Sequence, residues 1–171
     1  MIKYFCNLIL SLCFLAYSCS SSNGKRPLDR FIYDNENILT LDQSKQLDSL
    51  YRGHEKRTTN EIALVTTSNY GKFDNQLLFS VDFGNKYQIG KKDFDNGIVI
   101  AFSKAKRAIR ISTGYGTEKV LNDELIKKII DSLMVPKFKD SLYFEGLRDG
   151  SIAVVKFLDG PENKIRITKK K

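Results

Sequence analysis

The sequence predicts an α/β fold, a three-layer α/β/α sandwich around a small mixed β-sheet that contains an antiparallel hairpin. Three patterns support this class. Residues 61–68, EIALVTTS, are apolar and β-branched, as expected of a buried strand. Two further β-like segments, residues 97–102 and 107–113, are joined by a short polar turn, which is typical of a hairpin. Segments with helical periodicity lie before, between and after these strands, so helices are expected on both faces of one sheet.

The first helix is predicted from a capping box. Residues 31–40, FIYDNENILT, form a short apolar stretch and a polar turn, and Thr40 is placed to cap the helix that follows. Gln43, three residues later, completes the box. The helix is expected to end near Arg57. Its apolar face is expected to contain Leu41, Leu47, Leu50 and Tyr51.

A second helix is predicted between the buried strand and the hairpin. It runs from Phe73 to about Tyr87. The side chains expected to face the core are Leu77, Leu78, Val81 and Phe83 or Gly84. A charged loop, residues 91–96, then leads to the hairpin, whose turn is Ser103 to Lys106.

Two helices are predicted after the hairpin. Asn122 is a suitable N-cap for the first, and Pro136 is expected to end it. The apolar stripe of this helix is Leu125, Ile126, Ile129, Ile130 and Leu133. The last helix is predicted from Tyr143 to Leu158, with Leu147 and Val154 facing inward.

The amino terminus has the features of an export signal. Lys3 precedes an apolar segment, Phe5 to Ala16, that is too short to be a spanning helix. This segment leads into Ala16-Tyr17-Ser18-Cys19, which resembles the lipobox of bacterial lipoproteins, with cleavage before Cys19 and lipid on its thiol. An ordinary secretory signal or an uncleaved anchor remains the alternative. We therefore expect an extracytoplasmic lipoprotein of the bacterial cell envelope, held on the membrane by its N-terminal lipid.

Four segments follow from this interpretation. They are a lipoprotein signal peptide (residues 1–18), the lipidated cysteine and a polar linker (19–28), one domain (29–160) and a basic tail (161–171). The other two cysteines, Cys6 and Cys13, fall in the signal peptide, so the domain has no disulfide or thiolate metal site and depends on its core.

The positive charge of the chain lies at its ends. The formal net charge is +8, yet residues 29–160 contain 20 basic and 19 acidic residues. The composition therefore does not indicate a nucleic-acid surface on the domain, and we expect no nucleic-acid partner. The basic tail is either a solvated segment or a contact with anionic lipid headgroups.

The domain resembles the TPM domain family from about Phe31 to Leu158. The motifs that carry the resemblance are Ile89-Gly90-Lys91, Asn96-Gly97 before an apolar strand, an arginine-bearing strand into Gly114-Tyr115-Gly116, Asp123, and Pro136-x-Phe138 followed by Gly146. The resemblance implies an α/β/α sandwich. It also implies a shallow acidic cleft that binds calcium or another divalent ion in some members, and phosphatase activity has been attributed to some plant members.

Four carboxylates are candidate ligands for Ca²⁺ or Mg²⁺: Asp34, Asp95, Glu118 and Asp123. Hard cations need several oxygen ligands from different loops, and these loops are expected to meet at one edge of the sheet. Asp34 and Asp123 match the positions of the family best. The cleft is expected to be lined by Asn96, Gly114, Tyr115 and Gly116. Each acidic residue also has an ordinary structural role open to it, in a turn or a first helical turn.

The glycine turn itself is not a phosphate-binding loop, because it lacks both the Lys-Ser/Thr pair of a P-loop and the third glycine of a dinucleotide fingerprint. No serine lies in a nucleophile elbow, and His54, the only histidine, is expected to be solvated. Three functions remain open. The first is a cation-binding accessory module acting on membrane protein complexes through an envelope protein partner, and the second is a metal-dependent phosphomonoesterase in the same cleft. A scaffold that has lost the site is a third.

Overall fold

The computed structural model describes residues 31–160. The predicted signal peptide, Cys19, the linker and the basic tail lie outside the described residues. No helix among the described residues is both long enough and apolar enough to cross a membrane.

One mixed sheet of four strands forms the middle layer, in the order β1-β2-β3-β4. The strands are β1 (Ile32–Asp34), β2 (Glu61–Thr66), β3 (Gly97–Ser103) and β4 (Ala108–Thr113). β1, β2 and β3 are parallel, and β4 pairs antiparallel with β3. The hairpin and the buried strand are thus confirmed. The sequence did not predict β1 as a strand, because three residues are too few to show an alternating pattern.

Helices cover both faces of the sheet. They are α1 (Leu41–Thr58), α2 (Gln76–Lys86), α3 (Tyr115–Glu118), α4 (Asp123–Ile129), α5 (Val135–Lys139) and α6 (Tyr143–Asp159). Alternate strand residues pack on opposite faces: Ile62, Leu64 and Ile100 contribute to the core under α1 and α6, and Val65 and Val99 to the core under α2. The predicted α/β/α sandwich is therefore the observed fold, and β2 and β3 are apolar throughout because both of their faces are covered.

The capping box of α1 forms as predicted. The Gln43 backbone N–H donates to the Thr40 hydroxyl at 3.2 Å, and the Thr40 N–H donates to the Gln43 side-chain oxygen at 2.9 Å. Leu47 and Tyr51 are fully buried, and the Tyr51 hydroxyl lies 2.6 Å from that of Ser151 on α6. Leu41, expected on the same face, is 70% exposed, because it is the first residue of the helix and lies beyond the edge of the core.

Two predictions for the helices were wrong. α2 begins at Gln76, after an Asn75 cap, and three of the side chains expected to face inward are 42–48% exposed: Leu77, Leu78 and Val81. This helix covers its sheet face chiefly with Phe79 and Phe83. Pro136 does not end a helix either. A π-helical turn, Ile130–Met134, joins α4 to α5, and the proline lies in the first turn of α5, so the helical conformation continues past it.

His54 is buried, contrary to the expectation that it is solvated. Its imidazole is 0% exposed, with Nδ1 2.9 Å from an Asp159 carboxylate oxygen and Nε2 3.2 Å from the Thr58 hydroxyl. Because the carboxylate can only accept, Nδ1 carries the proton. The sequence around His54 is polar, so only the approach of α6 from more than a hundred residues away buries the ring.

We expect His54 to make folding sensitive to acid. Burial lowers the pKa of His54 below 6.5, although Asp159 opposes this shift. At pH below 6.5 the unfolded chain therefore takes up a proton that the folded protein does not, and stability falls as the pH decreases until the folded-state pKa is reached. Urea unfolding at pH 7.5 and 5.5 should show this loss, and it should be smaller in His54→Gln. Equal pH dependence in the two proteins would contradict the assignment.

Candidate functional site: a glycine-lined cleft at the amino end of strand β3

Four glycines bring three segments of backbone together at the amino end of β3. They belong to the loop after α2 (Gly90), the start of β3 (Gly97), and the segment after β4 (Gly114 and Gly116). A Cβ on Gly116 would lie 2.0 Å from the Phe94 carbonyl oxygen, and one on Gly114 would lie 2.1 Å from the Asp95 carbonyl oxygen. Both contacts are with backbone, which cannot move away as a side chain can. Close approach of the backbone therefore explains the Gly-Tyr-Gly sequence.

Hydrogen bonds hold this arrangement in place. The Gly116 N–H donates to the Asp95 carbonyl at 3.0 Å, and the Gly114 N–H donates to the Gly97 carbonyl at 2.8 Å. Asp95 has φ +46°, in the left-handed region that aspartate tolerates better than most residues. The turn after β4 is thus tied to the turn before β3, and α3 continues directly from it.

A cleft of about 460 Å³ opens beside these turns, between α2 and β4. Asp95, Gly114 and Tyr115 line it together with Val81 of α2 and Ser112 of β4. Tyr115 is 79% exposed and Val81 is 48% exposed, so the rim is aromatic and aliphatic. The Ser112 hydroxyl lies 2.7 Å from the Ser80 hydroxyl, which joins the two walls. A site of this composition offers one carboxylate, two hydroxyl groups and an apolar rim.

The structure does not bring the four predicted carboxylates together. Asp34 ends β1 in register with Thr66, at the carboxyl end of the parallel strands, whereas Asp95 precedes the amino end of β3. The expectation that their loops meet at one edge is therefore wrong for Asp34. Its two carboxylate oxygens accept from the N–H groups of Ile38 and Leu39, at 3.2 and 2.9 Å, and from the Thr66 hydroxyl at 2.6 Å. These bonds give Asp34 the turn-stabilising role that the sequence also allowed.

Glu118 and Asp123 follow the glycine turn in the chain, but neither of them lines the cleft. Glu118 is exposed and closes α3, two residues after Gly116. Asp123 is exposed in the first turn of α4, after the Asn122 cap. Within residues 31–160, no three acidic, histidine or cysteine side chains are grouped closely enough to hold a metal ion. The four predicted carboxylates therefore do not form a ready-made cation site in this part of the chain.

Asn96 supports the cleft and is not free to bind a ligand. Its side-chain oxygen accepts from the Lys91 N–H at 2.8 Å, and its nitrogen donates to Thr59 and Asn60, at 3.3 and 3.2 Å. The side chain is 1% exposed. Asn96 thus fixes the loop after α2 against the amino ends of β2 and β3.

An ion pair at this end of the sheet was missed from the sequence. Glu61 begins β2 with a side chain that is only 3% exposed, and one of its oxygens lies 2.5 Å from the Lys91 ammonium. Lys91 also lies 3.2 Å from Glu55, and the Gly90 N–H donates to Glu61 at 3.1 Å. The Glu61 hydrogen bond is the main cause that raises the pKa of Lys91. A glutamate at the start of an apolar segment looks like an ordinary strand boundary, so the sequence carried no signal for this pair.

These features define the class of protein: a small α/β/α sandwich with a mixed sheet and a glycine-lined cleft where β3 begins and β4 ends. The model of the TPM domain family matches residues 32–157, so the chain belongs to the TPM domain family. A search of the curated proteins gave no match.

Solved structures show the same fold. The N-terminal domain of a protein from P. gingivalis, determined by solution NMR, has a TM-score of 0.69 and 30% identity over 77% of this chain and 83% of that one. The BA42 protein from the psychrophilic bacterium Bizionia argentinensis has a TM-score of 0.64 and 19% identity, covering 79% and 89% of the two chains. The N-terminal domain of cg2496 from Corynebacterium glutamicum has a TM-score of 0.58 and 9% identity, covering 80% and 86%. The last two similarities concern the fold alone.

Proposed function

We propose that this TPM domain is a lipid-anchored accessory module of the bacterial cell envelope, which binds a divalent cation and a protein partner at the cleft beside Asp95. The observation that carries the proposal is the exposure of Tyr115, 79%, on the rim of a cleft that also contains a carboxylate. An aromatic side chain held out by a rigid glycine turn loses little conformational freedom when it binds.

The rim extends into an apolar surface on α2. Leu77, Leu78 and Val81 are 42–48% exposed, and the spacing of three and four residues places them on one side of the helix. Tyr115 and Val81 line the same cleft. Exposed aliphatic side chains next to an exposed aromatic ring are typical of the centre of a protein interface. This supports a partner that covers α2 and the glycine turn together.

The cation, Ca²⁺ or Mg²⁺, would be held by Asp95 and Glu118 with backbone carbonyls of the same turns. With two carboxylates the ion keeps several water ligands, which suits Mg²⁺ and weak Ca²⁺ sites. A carboxylate or phosphate of the partner could then replace one or more of these water ligands.

The proposed lipid anchor is compatible with a partner in the membrane. If Cys19 carries lipid, eleven residues connect it to Phe31, the first described residue. An extended segment of that length spans at most about 40 Å. The cleft would therefore remain within reach of the extracytoplasmic parts of membrane proteins.

A photo-reactive amino acid at position 115 tests the partner in intact cells. We expect a discrete envelope protein to be cross-linked from this position, and the yield to fall in an Asp95→Asn background. The control is position 41, where Leu41 is 70% exposed at the opposite end of the sheet. Equal labelling from both positions, or none from position 115, would contradict the proposal.

Hydrolysis of a phosphate monoester in the same cleft is the alternative function. His54 lies outside the cleft, buried between α1 and α6, and the cleft serines Ser80 and Ser112 are hydrogen-bonded to each other. Turnover of a chromogenic phosphate monoester that depends on Mg²⁺ or Ca²⁺ and disappears in Asp95→Asn would replace the accessory module by a metal-dependent phosphatase.

A further inference from the structure

A second cavity lies at the opposite end of the sheet and on its opposite face. It measures about 470 Å³ and opens between the β3–β4 turn and α5. This volume is within the range of small-molecule sites. None of the residues predicted as functional lines it, so it is independent of the cleft beside Asp95.

Its walls carry charge of one sign. Lys104, Arg107 and Lys139 line the cavity, and no acidic side chain does. Among the described residues, none of the three takes part in a salt bridge. Glu36, in the loop after β1, accepts from the backbone N–H groups of Lys104 and Ala105 in the turn, at 2.9 and 3.1 Å. Glu36 thus fixes the backbone of the turn, and three cations share a concave site whose field attracts an anion.

The floor of the cavity is aromatic. The Phe102 ring centroid lies 4.6 Å from that of Phe138 and 5.7 Å from that of Tyr143, and all three residues line the cavity. Lys104 Nζ lies 5.1 Å from the Tyr143 centroid, as in a cation–π contact. A ligand that fits both parts has an anionic group for the rim and an apolar or aromatic group for the floor.

Two residues at the rim of the cavity have a left-handed backbone conformation. Arg107 has φ +51° and Ser141 has φ +62°, and both line the cavity. The left-handed position that closes a hairpin turn is usually glycine, because a side chain there strains the backbone. Glycine at position 107 would therefore remove the guanidinium without straining the backbone.

We infer that this basic cavity binds a phosphate ester whose organic group is apolar or aromatic. A phosphate monoester carries about −1.5 to −2 charges at neutral pH, whereas a carboxylate carries a single negative charge. Three cations therefore complement the phosphate better. The Arg107 guanidinium binds phosphate oxygens through two N–H groups, with Lys104 and Lys139 as point charges. The ester is either a free molecule or the headgroup of a membrane lipid.

The test uses residues 20–171, which contain every described element, as similar domains were determined alone in solution. The probes are phenyl phosphate, inorganic phosphate, and vesicles of phosphatidylcholine with or without phosphatidic acid. Arg107→Gly relieves the backbone strain, so it should raise or preserve the unfolding temperature while it weakens binding about tenfold. Lys139→Gln should also weaken binding about tenfold. The control is Lys106→Gln, which removes the same charge from the same turn but lies over Tyr70, away from the cavity.

Two results support the inference and separate the sources. A free ester is indicated if phenyl phosphate binds more tightly than inorganic phosphate. Its binding should also be weakened in Arg107→Gly and Lys139→Gln but not in Lys106→Gln. The same pattern only with phosphatidic acid vesicles indicates a lipid headgroup. Equal effects of all three variants, equal binding of phenyl and inorganic phosphate, or no binding of any probe would overturn it.

Discussion

Gly116→Ala is expected to lower the free energy of unfolding by about 3 kcal/mol, more than an ordinary surface substitution. The added Cβ would lie 2.0 Å from the Phe94 carbonyl oxygen and 3.1 Å from that of Asp95. Both oxygens belong to a turn that is hydrogen-bonded on several sides, so the segment after β4 must move away. The Gly116 N–H bond to Asp95 would then be weakened as well. Urea unfolding followed by circular dichroism measures this loss.

Gly53→Ala is the matched control, and its expected effect has the opposite sign. Gly53 lies inside α1, and the atom nearest to an added Cβ is the end of the Arg57 side chain, at 3.3 Å. A flexible side chain can move, and alanine favours the helix by about 0.5–1 kcal/mol. If both substitutions changed stability equally, close backbone packing would not be the reason for the glycine at position 116.

Lys91→Met is expected to lower the free energy of unfolding by about 2 kcal/mol, because it removes the cation beside the buried Glu61 carboxylate, although the Lys91 side chain itself is 44% exposed. The Glu61 side chain is 3% exposed and also accepts a hydrogen bond from the Gly90 N–H. Glu55 is less affected, since its side chain is 27% exposed and retains contact with water. The same urea experiment at pH 7 measures the effect.

The double variant Glu61→Gln/Lys91→Met separates the pair from the loss of the lysine alone. It removes both charges and should recover at least half of the stability lost in Lys91→Met. Because the hydrogen bond to Glu61 raises the pKa of Lys91 above 10.5, the stabilisation is complete below about pH 10.5 and is lost as the pH rises through the folded-state value. A double variant no more stable than Lys91→Met would contradict a stabilising ion pair between Glu61 and Lys91.

The sequence predicted those parts of the fold that depend on local pattern. The hairpin was visible because two β-like segments flank a short polar turn, and α1 because Thr40 and Gln43 form a capping box. The faces of α2 were harder to predict. Leu77 and Leu78 satisfy helical periodicity as well as Phe79 and Phe83 do, and only the position of the sheet decides which pair is covered.

The candidate site was only partly predictable, because it depends on which end of the sheet each loop joins. Asp95, Gly114 and Tyr115 were predicted together and line one cleft. Asp34 was grouped with them, although it follows a strand while Asp95 precedes one. In parallel strands those positions lie at opposite ends. Because β1 was not recognised as a strand, Asp34 and Asp95 could not be assigned to opposite ends of the sheet from the sequence.

The buried groups depend on contacts between distant parts of the chain. His54 bonds to Asp159 and Glu61 bonds to Lys91, over separations of 105 and 30 residues. Neither pair has a local sequence pattern. Their burial can be inferred only once α6 and the loop after α2 have been placed against the sheet.

A titration of residues 20–171 with Ca²⁺ and Mg²⁺, followed by backbone amide NMR shifts, tests the central claim most directly. The cleft at the amino end of β3 predicts localised shifts at Asp95, Gly116 and Glu118, which are lost in Asp95→Asn, with no change at Asp34. Shifts centred on Asp34, or no localised shifts with either ion, would contradict a cation site in this cleft.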